Sequence, residues 1–154
     1  SKLKNLCKMA DVVVPNMTEA AFICGLPFTA PPHSKEYIES LLKAMHCLGP
    51  KKVIITGVIF DETSIGSAVF DADSDRVLYK FAKRFQGRYI GTGDLYASVV
   101  LASLLNGFDV CMAAEIATNH VSYCIEKTNK INTNDSMAIN FEQCTGKLIE
   151  VLGI

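Results

Sequence analysis

An α/β fold, with helices covering a largely parallel sheet, is predicted by three observations. Short β-branched runs stop at Pro or Gly, longer stretches between them carry apolar residues at helical spacing, and the two kinds alternate along the chain. The 154 residues suffice for one domain, 1–154, with a core of useful size, and no repeat, low-complexity tract or linker marks a second.

Residues 11–14, DVVV, read as a buried strand stopped by Pro15. Thr18 to Cys24 reads as one or two helical turns closed by Gly25, and the three prolines within 26–32 make that segment a loop. Ser34 is a candidate N-cap for a helix whose Ile38, Leu41, Leu42, Met45 and Leu48 form one apolar stripe, ended by Gly49 and Pro50. Lys51 to Val58 is a second buried strand, finishing in a small-residue turn at Thr56 and Gly57. Ser64 to Phe70 and Arg76 to Ala82 are strands joined by the turn DADSD. Asp94 to Leu105 has the apolar content of a buried helix, ended by Asn106 and Gly107. Val110 to Lys127 is a second long helix, TNKINTND a loop, and the tail from Met137 to Leu152 has room for a strand and a last helix. Ligands of such sheets bind at the carboxyl ends of strands, so Pro15-Asn16, Thr56-Gly57 and the loop carrying Asp94 are expected on one rim.

Composition narrows the function classes. A net charge of −1, without a basic run interleaved with aromatics, offers no general attraction for nucleic acid or an anionic membrane. Any anion must therefore be held locally. The six cysteines are scattered without a CxxC pair or a cluster with the three histidines, which points to free thiols in a reducing, cytoplasmic setting. SKLKNLCKMA lacks the apolar core of a signal peptide and the run near 97–105 is too short to span a bilayer, so neither secretion nor membrane insertion is expected. The Asn-x-Ser/Thr matches at Asn16 and Asn134 are then chance. An apolar fraction of 49% with a mean hydropathy of +0.24 suggests surface that something else covers.

The stretch GRYIGTGDLYASVVLASLLNG carries the chemistry. Glycines at 87, 91 and 93 allow backbone angles and close approach that side chains forbid, and they lead into a helix N-terminus whose free N–H groups and dipole favour an anion. A carboxylate there would repel phosphate, so Asp94 needs a purpose. It either caps the helix or takes a proton from a hydroxyl attacking the γ-phosphate of ATP. Asn16 reads equally as a turn former and Glu19 as a first-turn acid; Lys51 and Lys52 read as solvated, and His33, His46 and His120 as ordinary surface or core residues. Arg84 and Arg88 flank the loop and read equally as phosphate contacts or as exposed surface residues. Gly146-Lys147 lacks the rest of a Walker A pattern, and the glycine loop lacks the third glycine of a dinucleotide site.

GTGD followed by an apolar helix resembles the anion-hole motif of the ribokinase-like superfamily, and GTGDLYASVVLASLL resembles that of its pyridoxal kinases. ADVVVPNMTEAAFICG at 10–25 is similar to that family's Pro-Asn turn and Asn-x-x-Glu motif, and VIITGV at 53–58 to its nucleotide-side strand. The resemblance implies a three-layer sandwich. It also implies Asp94 as catalytic base, Gly91, Thr92 and Gly93 as anion hole, and Thr56 and Gly57 on ATP phosphates with Asn16 and Thr92 as further ATP contacts. Asn16 and Glu19 would organise Mg²⁺ through water, and a monovalent cation such as K⁺ and a homodimer in full-length members come with the family. The implied activity is transfer of the γ-phosphoryl of ATP to the 5′-hydroxymethyl group of pyridoxal, pyridoxine or pyridoxamine.

Only the C-terminal portion of that family is matched, so the chain is expected to be a fragment with the ATP side and the base but little of the vitamin pocket. An apolar sheet edge should then be open. Two alternatives stand: a kinase for hydroxymethylpyrimidine or a sugar, and a non-catalytic nucleotide-binding module. Hydroxymethylpyrimidine kinases tend to carry Cys at the Asp94 position, which with Leu95-Tyr96 favours pyridoxal.

Overall fold

The computed structural model describes residues 2–131 and 136–154. The chain forms two compact units, Ser1–Lys80 and Phe81–Ile154.

In the first, α1 (Lys2–Met9) precedes β1 (Val12–Val13), α2 (Met17–Cys24), α3 (Lys35–His46), β2 (Lys52–Val58), β3 (Ser64–Asp71) and β4 (Arg76–Lys83), the last crossing the boundary between units. The sheet has the order β1-β2-β3-β4. β1 pairs parallel with β2, Val12 opposite Lys52 and Val13 opposite Val53, while β2 pairs antiparallel with β3. This sheet is thus mixed. Its parallel part is the β1/β2 edge, and the short DADSD turn allows only a direct return to β4 without a crossover helix.

Burial explains the order. β2 buries Val53, Ile54 and Ile55 in succession, as a strand covered on both faces does. The stripe Ile38, Leu41, Leu42 and Met45 of α3 is fully buried, and α3 packs on β2 and β3. Each such side chain contributes about 1.5–3 kcal/mol by leaving water. Ser34 caps α3 as predicted, its Oγ accepting from the Tyr37 N–H at 3.2 Å. β1 lies at the edge of this sheet, beside a groove of about 370 Å³ lined by Leu3, Cys7, Val13, Phe22 and Met45. Leu6, Met9 and Phe22 are exposed.

Lys52 departs from the solvated reading. Its Nζ lies 2.9 Å from Asp71 Oδ1 and 3.1 Å from Asp73 Oδ2, and the hydrogen bond to Asp71 raises its pKa. The hairpin register places Lys52 opposite Asp71, so the acidic turn reaches the lysine.

In the second unit, β5 (Arg88–Ile90) leads into α4 (Thr92–Leu105), then α5 (Val110–Ile131), β6 (Ser136–Ala138), a short 3₁₀ turn (Glu142–Cys144) and α6 (Thr145–Leu152). β5 pairs parallel with β6, a strand pair not expected from the sequence at Arg88–Ile90 because glycines flank it. α4 and α5 pack together, α4 burying Tyr96, Val99 and Val100 and α5 the small residues Ala113, Ala114 and Ala117. The Tyr96 hydroxyl donates to the Ala114 carbonyl at 3.2 Å. α5 runs four residues past its expected end, to Ile131; of TNKINTND, residues 132–135, with Asn134, lie outside the described residues.

None of the six cysteines forms a disulfide, and Cys7, Cys124 and Cys144 are buried. Burial, followed by the neighbouring Cys144, pushes the Cys124 thiol up to about 12. Among the described residues no helix is long and apolar enough to cross a membrane.

Leu41→Ala, which empties a fully buried site on α3, is expected to lower unfolding free energy by about 2–5 kcal/mol in urea titrations. Burial also lowers the pKa of His33 and of His120 below the usual 6.5. Because the unfolded chain binds more protons below that value, stability should be full above pH 6.5 and decline as pH falls toward the folded-state pKa values. Denaturation midpoints measured between pH 8 and pH 5, against a His33→Asn, His120→Asn double variant with a flatter profile, check this.

Candidate active site

The first unit assembles one group of residues at the carboxyl ends of its parallel strands. Past β1, Pro15 accepts at its carbonyl from the Thr56 N–H at 2.9 Å, and Asn16 and Thr56 form a parallel bridge that extends the β1/β2 register. Asn16 is the N-cap of α2. Its Oδ1 accepts from the Glu19 N–H at 2.9 Å, and Glu19 Oε2 accepts from the Asn16 N–H at 3.0 Å, a complete capping box. Asn16, Glu19 and Thr56 are thus brought together, the first two exposed. Thr56 and Gly57 are half-buried at a β-bulge, where the pairing shifts from Thr56 opposite Ser67 to Val58 opposite Gly66. Gly57 has φ +77, which only glycine adopts readily, and an added Cβ would meet nothing within 4 Å.

The second unit holds the glycine loop. β5 passes directly into α4 through Gly91, the N-cap, at φ 90 and ψ 0. Leu95 N–H is bonded to the Gly91 carbonyl at 3.0 Å, so the N–H groups of Thr92, Gly93 and Asp94 precede the helical ladder and are open to an anion. Thr92 turns its hydroxyl back to the Tyr89 carbonyl at 3.2 Å. Beside Gly93 there is open space where a Cβ would be.

Asp94 is not a cap. It stands at the third helical position, exposed, and its carboxylate has no hydrogen bond or ion pair among the described residues. The capping role belongs to Gly91, without a side-chain bond. What remains is a solvent-facing carboxylate one residue from open N–H groups, able to accept a proton.

Among the described residues no cluster of three or more His, Cys, Asp or Glu is arranged to hold a metal. Glu19 offers an exposed carboxylate whose Oε1 lies outside the capping pair, and Asn16 an amide oxygen. These hard donors fit Mg²⁺ held through water. Arg84 and Arg88 are exposed, and His46 bonds the Pro50 carbonyl through Nδ1 at 2.8 Å. His33, assigned no functional part by the sequence, is buried and bonded to the chain just beyond Gly57; its only sequence signal is a histidine at a helix entrance after a proline pair.

A strand end and an Asn-capped helix in the first unit, and a glycine-led helix N-terminus in the second, belong to an α/β protein. The chain belongs to the phosphomethylpyrimidine kinase family, whose model matches residues 1–139. It is 29% identical over 144 residues to the pyridoxal kinase of Dictyostelium discoideum, covering 87% of this chain and 46% of that protein. The pyridoxal kinase of Lactobacillus plantarum superposes with a TM-score of 0.82 at 27% identity, over 97% of this chain and 52% of that one. That of Staphylococcus aureus, in complex with AMP-PCP, does so with 0.77 at 25%, over 90% and 50%. The chain spans about half the length of the curated relatives it matches.

Gly91→Ala forces an L side chain to φ 90 and sets its Cβ 3.5 Å from Ile139 Cγ2. It should cost roughly 1–2 kcal/mol in chemical denaturation, whereas Gly93→Ala, helical and uncrowded, should be at least as stable as the parent.

Proposed function

We propose that this chain is the C-terminal portion of a single ribokinase-like domain, 1–154, of an ATP-dependent pyridoxal kinase. The carrying observation is Asp94: an exposed carboxylate, free of any capping duty, beside open N–H groups behind a positive-φ glycine. Matches to pyridoxal kinases across almost the whole chain, one in complex with an ATP analogue, support the reading.

In this reading Asp94 accepts the proton of the 5′-hydroxymethyl group as its oxygen bonds to the γ-phosphorus and the bond to the β,γ-bridging oxygen breaks, leaving ADP and pyridoxal 5′-phosphate. Gly91, Thr92 and Gly93 form the anion hole that holds charge on the transferred group, because N–H groups fixed by the helix need no reorganisation. Thr56 and Gly57 receive ATP phosphates at the bulge, where the missing side chain permits close backbone approach. Asn16 and Glu19 would hold Mg²⁺ through water, and that ion supplies neutralisation of phosphate charge.

The family's description favours a second acceptor, a phosphomethylpyrimidine. Asp94 followed by Leu95-Tyr96 supports the vitamin B6 reading over it.

Mg·ATP-dependent phosphorylation of pyridoxal, pyridoxine, hydroxymethylpyrimidine and ribose should be assayed with this chain and with the full-length product of its gene. Phosphorylated pyridoxal from the full-length product supports the proposal, and no product from either sinks it. In the full-length protein, Asp94→Asn should reduce turnover by about 10²–10⁴ while nucleotide affinity stays nearly constant.

A further inference from the structure

We infer that His33 is a positioning residue for the Thr56-Gly57 turn, gripping the chain just past the bulge through both backbone groups of Ile59. This inference rests on the assignment of that turn to ATP phosphates.

The β2/β3 ladder ends at Val58 opposite Gly66, so Ile59 lies beyond the sheet and its backbone groups need other partners. His33 supplies both. Its own N–H donates to the Ile59 carbonyl at 2.8 Å, and its Nδ1 accepts from the Ile59 N–H at 3.0 Å. One residue thus closes a two-point clasp on another 26 positions away.

The rest of the loop shows why this clasp matters. Its far end is held internally, Asp61 Oδ1 accepting from the Thr63 N–H at 2.7 Å and the Ser64 N–H at 2.9 Å. Gly57, at the near end, has no side chain, and nothing lies within 4 Å of where a Cβ would stand, so side-chain packing does not hold it. The Thr56 bond to Pro15 holds the near side of the bulge, the Thr56–Ser67 and Val58–Gly66 pairs flank it, and the His33 clasp holds the chain just past the last of these pairs.

The ring itself shows that the contact is more than filling. Nδ1 acts as acceptor, so the neutral imidazole carries its proton on Nε2. Nε2 is buried and has no well-formed hydrogen bond among the described residues, and the residue is only 6% exposed. An apolar side chain would avoid that orphaned donor, but it would leave the Ile59 N–H without its acceptor.

The test compares His33→Leu, which removes the acceptor, with His33→Asn, whose Oδ1 can take the place of Nδ1, and His33→Gln, whose oxygen lies one bond further out. Hydrogen exchange of the Gly57, Val58 and Ile59 amides is read on this chain, and ATP and pyridoxal KM with kcat on the full-length gene product. His33→Leu should exchange these amides about tenfold faster and raise the ATP KM several-fold, leaving the pyridoxal KM and kcat near the parent values. His33→Asn should restore both. Unchanged exchange in folded His33→Leu overturns the clasp; fast exchange with an unchanged ATP KM overturns its link to nucleotide. If His33→Leu does not fold, His33→Asn and His33→Gln decide instead, equal exchange and equal KM in the two overturning the inference. Failure of the parent to use ATP would overturn the kinase reading, and exchange still judges the clasp.

Discussion

The register of β1 on β2 is the constraint from which the geometry around Asn16 and Thr56 follows. Val12 faces Lys52, Val13 faces Val53, and the same parallel alignment carries forward to Asn16 and Thr56. A slip of one residue would turn Val53, Ile54 and Ile55 against the wrong neighbours and separate the cap of α2 from the bulge. The buried α3 stripe beneath β2 opposes such a slip, so hydrophobic packing determines which polar groups meet.

The second unit solves a different problem. A helix N-terminus carries roughly half a positive charge, and Asp94 sets a carboxylate beside it. Gly91 makes this arrangement possible, because it starts the helix by backbone conformation alone and leaves the acid without a structural bond. Thr92 binds back to Tyr89, and Tyr96 anchors the helix to α5 one turn on. The N-terminal end of α4 is therefore held by groups other than the Asp94 carboxylate.

Much of this was legible in the sequence. The apolar stripe of α3 and its Ser34 cap, the β-branched runs of β1 and β2, and the hairpin turn all follow local rules of period and capping. Asn16 follows the expected end of β1 and Glu19 lies on the expected short helix, whereas β2 runs on through a bulge at Thr56 and Gly57 to Val58. Less legible were features settled by distant partners. Lys52 looks solvated until a hairpin brings Asp71 opposite it. β5 is too short and too flanked by glycine to show a period, and His33 has no local pattern, because its partner is 26 residues away. The role of Asp94 in the helix was ambiguous for a similar reason: composition favours Asp as a cap, while backbone angles give that position to Gly91.

The capping box at α2 has an entropic consequence. Asn16 and Glu19 are already immobilised by each other's backbone when the helix forms. A long polar side chain loses up to about 2 kcal/mol of rotamer freedom on being ordered, and here that loss falls on folding and not on the arrival of a guest. A ligand meeting these oxygens finds them preorganised, so its association is governed by desolvation and charge and not by a search among rotamers.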